Sequence, residues 1–78
     1  MQIKDLIVYI VSELVDSPDE VAAHELESTR SLLIELSVSK QDFGRVIGKK
    51  GRNIYAIRTI INGAAAKLGK RAILDIIE

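Results

Sequence analysis

Two glycines flank two lysines at Gly48-Lys49-Lys50-Gly51, and these residues could bind an anion. Glycine tolerates positive φ and lets another backbone come close, so a pair with this spacing suits a tight turn pressed against a ligand. Helical patterns on both sides predict that the turn joins two helices. The second helix would direct free N–H groups and its positive dipole end at the turn. Because Arg45 and Arg52 add further positive charge, a polynucleotide backbone is the anion that fits best.

Other interpretations of these glycines fit less well. A Gly-Lys-Lys-Gly tetrapeptide alone is also typical of a solvated surface turn. A Walker A loop needs four residues between its glycines, then Lys and Ser or Thr, whereas Gly44 and Gly48 enclose only three and the segment ends in Lys50. The dinucleotide fingerprint Gly-x-Gly-x-x-Gly also fails, because Gly44 precedes Gly48 by four positions instead of two. The apolar residues on both sides of the loop favour the nucleic-acid interpretation.

The stretch Val46-Ile47-Gly48-Lys49-Lys50-Gly51-Arg52-Asn53-Ile54 resembles, position by position, the Val-Ile-Gly-x-x-Gly-x-x-Ile core of the KH family of RNA-binding domains. In that family the loop clamps the backbone of about four nucleotides, and the substrate is single-stranded because unstacked bases expose their edges. Within the family, the chain resembles the small stand-alone bacterial KH proteins of the KhpA type. That likeness also covers Pro18-Asp19, Val21 and the segments 56–58, 64–67 and 69–71. It implies an RNA chaperone or a post-transcriptional regulator.

The expected RNA-binding residues surround the loop. Lys49 and Lys50 would neutralise phosphates, and the N–H groups at 51–53 would donate to phosphate oxygens. Apolar side chains, including those of the strand at 32–38, would form a floor for bases. Asn53 is either a polar contact at the groove mouth or an ordinary helix N-terminal residue, and Arg58 is either a peripheral phosphate contact or part of a solvated face. The full set is Arg45, Ile47, Gly48, Lys49, Lys50, Gly51, Arg52, Asn53, Ile54 and Arg58.

The composition predicts one small domain, residues 1–78, in which about 60% of the unfolded surface becomes buried. The chain has no cysteine, so no disulfide framework or thiolate metal site is expected, and a reducing cytoplasm fits. No apolar run approaches the roughly 18 residues of a membrane span. Residues 1–39 hold two basic and eight acidic residues, a net charge of −6, whereas residues 40–78 hold nine basic and three acidic residues, a net charge of +6. A basic half centred on a glycine loop is typical of a polyanion site.

Hydrophobic periodicity predicts helices at 3–15 and 54–68 and strands at 32–38 and 71–77. Ser39 to Asp42 is interpreted as a capping box for a short helix before the loop. Residues 17–28 are ambiguous, because Ser17 to Glu20 is typical of a helix start while the resemblance implies a strand, and we favour the strand. The expected fold is α+β with the order α-β-β-α-α-β, which is the type II KH arrangement. Its helices cover one face of a three-stranded sheet.

Catalysis is not expected, since the chain has no Cys, a single His and no carboxylate pair near the basic loop. No cofactor or metal is expected either. The alternative hypothesis is a protein-interaction module in which RNA binding is secondary, because Leu33, Ile73 and Ile77 should point away from the helices. The two hypotheses are compatible, since the resemblance implies a homodimer or a larger KH-containing partner.

Overall fold

Three strands form the sheet in the computed structural model, which describes residues 2–77. β1 (Ala22–Glu27) is antiparallel to the central β2 (Ser31–Ser37), and β3 (Arg71–Ile77) pairs with β2 in parallel. The helices are α1 (Ile3–Ser12), α2 (Phe43–Ile47) and α3 (Arg52–Ala66). The predicted order and the α+β class are therefore confirmed.

The core lies between one face of the sheet and the apolar stripes of the helices. Residues of β2 and β3 alternate between buried and more exposed positions along each strand, as period-2 side chains must when only one face is covered. The helices contribute residues three and four positions apart, as the periodicity predicted. The buried apolar residues are Ile3, Ile7, Val11, Leu32, Ile34, Leu36, Val38, Val46, Ile54, Ile57, Ile61, Ala65, Ala72 and Leu74.

The ambiguous segment at 17–28 contains both a turn of helix and a strand. Pro18–Glu20 form one 3₁₀ turn, in which the Glu20 N–H donates to Ser17 O at 3.0 Å, and β1 follows at Ala22. The helix signal is therefore real but lasts a single turn. The strand preferred on the basis of the resemblance is confirmed, because pairing with β2 compensates for the weak strand propensity of Ala23 and His24.

Asp42 fixes the course of the chain after α1. Its buried carboxylate accepts the backbone N–H groups of Asp16 at 3.1 Å and Ser17 at 3.0 Å. To present these two amides, the chain leaves the helix after Ser12, so the predicted extension of α1 to residue 15 is wrong. The predicted capping box is also wrong, since the Ser39 hydroxyl donates to the Asp42 carboxylate at 3.2 Å and no side chain caps the helix.

As predicted, Gly69 terminates α3. Leu68 was predicted to be the last residue of the helical stripe but is not part of the helix. Gly69 adopts φ 71°, and the next amide, at residue 70, donates back to Ala65 O at 3.0 Å, which is the pattern of a Schellman termination. Leu68 lies beyond the helix and is 62% exposed, so it does not extend the core stripe.

Asp42 should make stability depend on acid pH. Burial alone would raise the pKa of the Asp42 carboxyl, but its hydrogen bonds to Asp16, Ser17 and Ser39, with the Arg45 charge, outweigh burial and lower that pKa. A lowered folded-state pKa contributes stability above the unfolded value of about 3.9, and that stability is lost as pH falls through the folded value. Asp42→Asn should therefore lower the melting temperature at neutral pH, and its difference from wild type should shrink below about pH 4.

Asp19→Asn is the matched control, because Asp19 is an exposed carboxylate in the turn after α1. Thermal melts of both variants from neutral to acidic pH measure the effect. If Asp42→Asn and Asp19→Asn have the same melting temperature at every pH, the hydrogen bonds from Asp42 to residues 16 and 17 do not stabilise the fold.

Candidate nucleic-acid interface

The loop between α2 and α3 is built from backbone conformations that favour glycine. Gly48 has φ 79° and ψ 169°, a region that is essentially restricted to glycine. Lys50 and Gly51 follow in the left-handed region, with φ 58° and 73°. The α2 helix closes with the Gly48 N–H donating to Gly44 O at 2.9 Å. The predicted tight turn between two helices is thus present.

Asn53 joins the two helices across this loop. Its Nδ2 donates to the backbone oxygen of Arg45 at 2.9 Å. A Cβ added to Gly48 would lie 2.7 Å from the Asn53 Cγ and 2.8 Å from the Asn53 backbone nitrogen. Gly48 is therefore required both by its backbone angles and by the space that Asn53 occupies. The Asn53 side chain holds the turn, a role that the sequence interpretation did not include.

The basic side chains around the loop differ in whether they form ion pairs. Lys49, Lys50 and Arg52 are exposed and form no ion pair within residues 2–77. Arg45 lies 3.4 Å from the Asp16 carboxylate in an ion pair whose side chains are both largely exposed. Such surface pairs contribute at most about 1 kcal/mol, so Arg45 can exchange this partner for another anion.

Two of the three backbone N–H groups expected to bind phosphate already have acceptors. The Gly51 N–H donates to Gly48 O at 3.1 Å, and the Arg52 N–H donates to Lys49 O. The tight turn thus uses the N–H groups of Gly51 and Arg52, and that of Asn53 is the remaining one of the three expected to donate to phosphate. The charged side chains, rather than these two amides, are what the loop presents outward.

Most apolar side chains of the expected floor are buried in the core. Leu32, Ile34 and Leu36 of β2 are at most 2% exposed, because β2 is the central strand and the helices cover that face. Ile54 is only 7% exposed and belongs to the core, whereas Ile47 is half-buried. These core side chains can support the loop from below but offer almost no surface to a base.

A cleft lies between α3 and the edge strand β3, and it offers the surface that the expected floor lacks. Its volume is about 380 Å³, and Arg58, Asn62, Ala72 and Leu74 line most of it. Arg58 begins this lining about 9 Å along α3 from Arg52, at 1.5 Å per residue. The cleft therefore lies beside the later turns of α3, the helix that begins at the loop.

Two side chains of α3 bind the backbone of β3 in this cleft. The Arg58 guanidinium donates to Leu74 O at 3.3 Å, and Asn62 Oδ1 accepts the Ala72 N–H at 3.2 Å. Asn62 Nδ2 also donates to Arg58 O at 2.9 Å. The i,i+4 spacing of Arg58 and Asn62 places both on one helix face. The sequence interpretation missed Asn62, although this spacing could have suggested that it accompanies Arg58.

Other parts of the described chain offer less. A second cavity of about 190 Å³ lies at the far end of α3, between Ile3, Leu32 and Leu68, and the nearby Lys70 ammonium pairs with Glu27. Residues 2–77 contain no cluster of three His, Cys, Asp or Glu side chains placed to hold a metal ion. In the same range, every helix is too short or too polar to cross a bilayer.

Comparison with known proteins gives the family. Residues 4–76 match the model of the KhpA/KhpB KH domain. The chain belongs to this family. It is 44% identical over 75 residues to the RNA-binding protein KhpA of Chlamydia pneumoniae, covering 96% of both chains. It is also 47% identical over 74 residues to the RNA-binding protein KhpA of Clostridium acetobutylicum, covering 95% of this chain and 99% of that protein. The KhpA of Aquifex aeolicus is 42% identical over 76 residues, with 97% and 96% coverage. The resemblance seen in the sequence is confirmed.

The loop geometry predicts a graded response to alanine at three glycines. Gly48→Ala should be the most destabilising, because it adds a steric overlap with Asn53 to a backbone strain of about 1–3 kcal/mol in a region that is essentially restricted to glycine. Gly51→Ala should cost only the left-handed strain of about 1–2 kcal/mol, since the nearest neighbour of its Cβ, the Ile54 Cγ2 atom, would be 3.9 Å away. Gly63→Ala in open space on α3 should instead stabilise by about 0.5–1 kcal/mol.

Denaturant unfolding of the three variants measures this order. Equal effects of Gly48→Ala and Gly51→Ala would mean that the contact with Asn53 does not constrain the loop.

Proposed function

We propose that the protein binds single-stranded RNA, through a single KH domain spanning residues 1–78, with the loop at 48–51 holding the phosphate backbone. The observation that carries this proposal is the pair Lys49 and Lys50, exposed and without ion-pair partners in the described chain, on a turn whose shape glycine and Asn53 hold. Two ammonium groups held outward on a stiff turn neutralise phosphates without an ordering cost for the backbone. Arg52 and Arg45 add charge on either side. The names of the relatives, RNA-binding protein KhpA, support the same ligand.

The bases would then follow α3 from the loop into the cleft beside β3. Gly48 and Gly51 allow the backbone of the RNA to approach, and Ile47 is the half-buried apolar side chain closest in sequence to the loop. Arg58 would serve as the phosphate or base contact at the start of the cleft. Its present acceptor, Leu74 O, belongs to the edge strand β3 and takes only one of the five N–H donors of the guanidinium, so the others can contact a ligand. Ile54 acts from the core, and Asn53 acts by fixing the turn.

The proposed activity is binding without catalysis, in an RNA chaperone or a post-transcriptional regulator. A site for about four nucleotides binds weakly and selects poorly by itself. The sequence has no Cys and a single His, and we propose no cofactor or metal. The cytoplasm, expected from the cysteine-free sequence, stays the proposed location.

A second candidate function is association with another protein, either a second copy of this chain or a larger KH-containing partner. The observation that favours it is the face of the sheet opposite the helices, where Ile73 and Ile77 are each 46% exposed. Leu33 on the same face is half-buried. Apolar side chains grouped on an uncovered face often mark a protein interface. Association and RNA binding use different layers of the molecule, so the two functions are compatible.

RNA affinity should depend on salt in proportion to the phosphates held. Three or four neutralised phosphates at about 0.7 per phosphate give a log–log slope of roughly −2 to −3. Fluorescence anisotropy with a short labelled single strand, titrated at several salt concentrations, measures the slope. A duplex of the same sequence should bind more weakly, and salt-independent or duplex-preferring binding would contradict the loop as a phosphate clamp.

Reversing the two loop charges should abolish most of the binding while leaving the fold intact. Lys49→Asp/Lys50→Asp removes two charge-assisted contacts of about 1.5 kcal/mol each, so affinity should fall by about 100-fold. The salt slope should also become shallower by about 1.4. Aspartate is among the residues that tolerate the left-handed conformation of position 50, so the turn should survive and the melting temperature should move little.

The matched control is Lys4→Asp/Lys67→Asp, which makes the same change in net charge away from the loop. Lys67 follows the last turn of α3, about 22 Å from the loop end of that helix. The control should keep most of the RNA affinity, and Ile57→Asp, which buries a charge, should lose fold and binding together. If the loop variant binds as well as the control does, the lysines are not the clamp and the association function takes precedence.

A further inference from the structure

Arg58 is held beside the cleft between α3 and β3 with most of its donors free. The hydrogen bond from its Nη2 to Leu74 O, at 3.3 Å, fixes the guanidinium against the edge of the sheet. The side chain is exposed and forms no ion pair in the part of the chain that the structure describes. A guanidinium carries five N–H donors in a planar fork, so the others remain after this bond. Arg58 therefore offers a fork of donors whose position is set before a ligand arrives.

Asn62 fixes the backbone that carries Arg58. Its Oδ1 accepts the Ala72 N–H at 3.2 Å, and its Nδ2 donates to Arg58 O at 2.9 Å. One side-chain amide thus ties the backbone of β3 to the turn of α3 from which Arg58 projects. Because arginine has no acceptor and both polar ends of Asn62 are already bonded, the groups that this pair offers a ligand are chiefly the donors of Arg58.

We infer that the cleft selects RNA bases that present two adjacent hydrogen-bond acceptors, and that Arg58 is the residue that recognises them. Guanine presents O6 and N7 side by side, and an arginine bonded to both is among the commonest specific contacts between a side chain and a base. Cytosine presents O2 and N3 side by side on its Watson–Crick edge, which is accessible in a single strand. On adenine and uracil an N–H donor lies next to each acceptor of these edges, so one arm of the fork would meet another donor.

The surroundings of Arg58 favour a base over a phosphate as its ligand. The cleft has a volume of about 380 Å³, and at its β3 side Ala72 and Leu74 are only 6% and 5% exposed. Cations for phosphates are already present at the loop, where Arg52 begins α3 about 9 Å from Arg58. A strand whose backbone is held at the loop can therefore direct its bases into the cleft, where the fork meets their edges.

This inference deepens the proposed RNA function and rests on it, because the loop is taken to hold the strand whose bases enter the cleft. Phosphate contacts carry no sequence information, so the loop contributes affinity alone. Arg58 would contribute the selectivity. The two contributions respond to different changes, the first to salt and the second to the identity of the base, so they can be tested separately.

Uridine hexamers with two substituted central positions test the base preference, since every register of about four nucleotides includes both positions. Strands with guanine or cytosine there should bind about tenfold more tightly than strands with adenine or uracil, measured by fluorescence anisotropy. Replacing guanine by 7-deazaguanine, or cytosine by 3-deazacytosine, removes one acceptor and should abolish the preference. Hypoxanthine keeps O6 and N7 and should bind as guanine does. A preference for one of the two bases alone, lost in its deaza analogue, supports the inference and identifies the base.

Arg58→Lys tests the fork, because it keeps the charge at position 58 but replaces the planar group with a single ammonium. It should lose the preference for guanine and cytosine while keeping the salt slope of wild type. Arg52→Lys, the matched control at the loop, should keep the preference. Asn62→Ala should weaken the preference without changing the salt slope if Asn62 positions Arg58, whereas a purely structural role would leave the ratio of affinities between bases unchanged. Thermal melts establish that each variant is folded.

Two results would overturn the inference while leaving the loop as the clamp. One is equal affinity for all four strands together with a normal salt slope and the loss of binding in Lys49→Asp/Lys50→Asp. The other is an unchanged preference in Arg58→Lys, because a different residue would then recognise the base. If instead no strand binds, or if binding ignores salt, the proposed RNA function fails and the inference fails with it.

Discussion

The close approach of Gly48 and Asn53 is the constraint on which the candidate site depends. A single Asn53 hydrogen bond to Arg45 O ties the start of α3 to the end of α2. This tie is possible only because residue 48 has no Cβ, which would lie 2.7 Å from the Asn53 side chain. The turn between them is so tight that it uses its own N–H groups at Gly51 and Arg52. What remains outward is charge, and this is why the lysines rather than the backbone amides carry the proposed contact with RNA.

A second tie holds the α2 end of the loop in place. Asp42, immediately before α2, accepts two backbone N–H groups from the segment that follows α1. A five-residue helix is too short to be stable by itself, so α2 needs this anchor and the packing of Val46 in the core. Arg45 takes part in contacts with both neighbouring segments. Its backbone oxygen accepts the Asn53 hydrogen bond, and its guanidinium lies beside Asp16. The positions of the loop and of the first helix are therefore linked through short polar contacts.

The parts that could be predicted from the sequence are those encoded locally. The glycine spacing, the helical stripe through Ile57 and Ile61 and the alternation in β2 each depend on neighbours within a few residues, and all were found. The errors share a different cause. Asp42 accepts amides from residues 25 and 26 positions away, and β2 is the central strand only because β3 returns to pair beside it. A pattern that shows Leu32 and Ile34 on one face cannot show whether that face is a groove or the core. The strand at 22–27 was found only through the family resemblance, since its local propensity favoured a helix.

Alternate side chains of β3 point to opposite faces of the sheet, so this strand contributes to two different surfaces. Ala72 and Leu74 turn their side chains to the core and offer outward-directed backbone groups to Asn62 and Arg58. Ile73, which lies between them, turns its side chain to the open sheet face instead. One strand thus borders the proposed RNA cleft with its edge and presents the proposed association surface on its open face, and the cleft lining also includes Arg71 and Ile73. This separation depends on register alone, because a shift of one residue would exchange the two sets. The parallel pairing with the buried β2 prevents such a shift, so the core that stabilises the fold also keeps each set of side chains on its own face of the sheet.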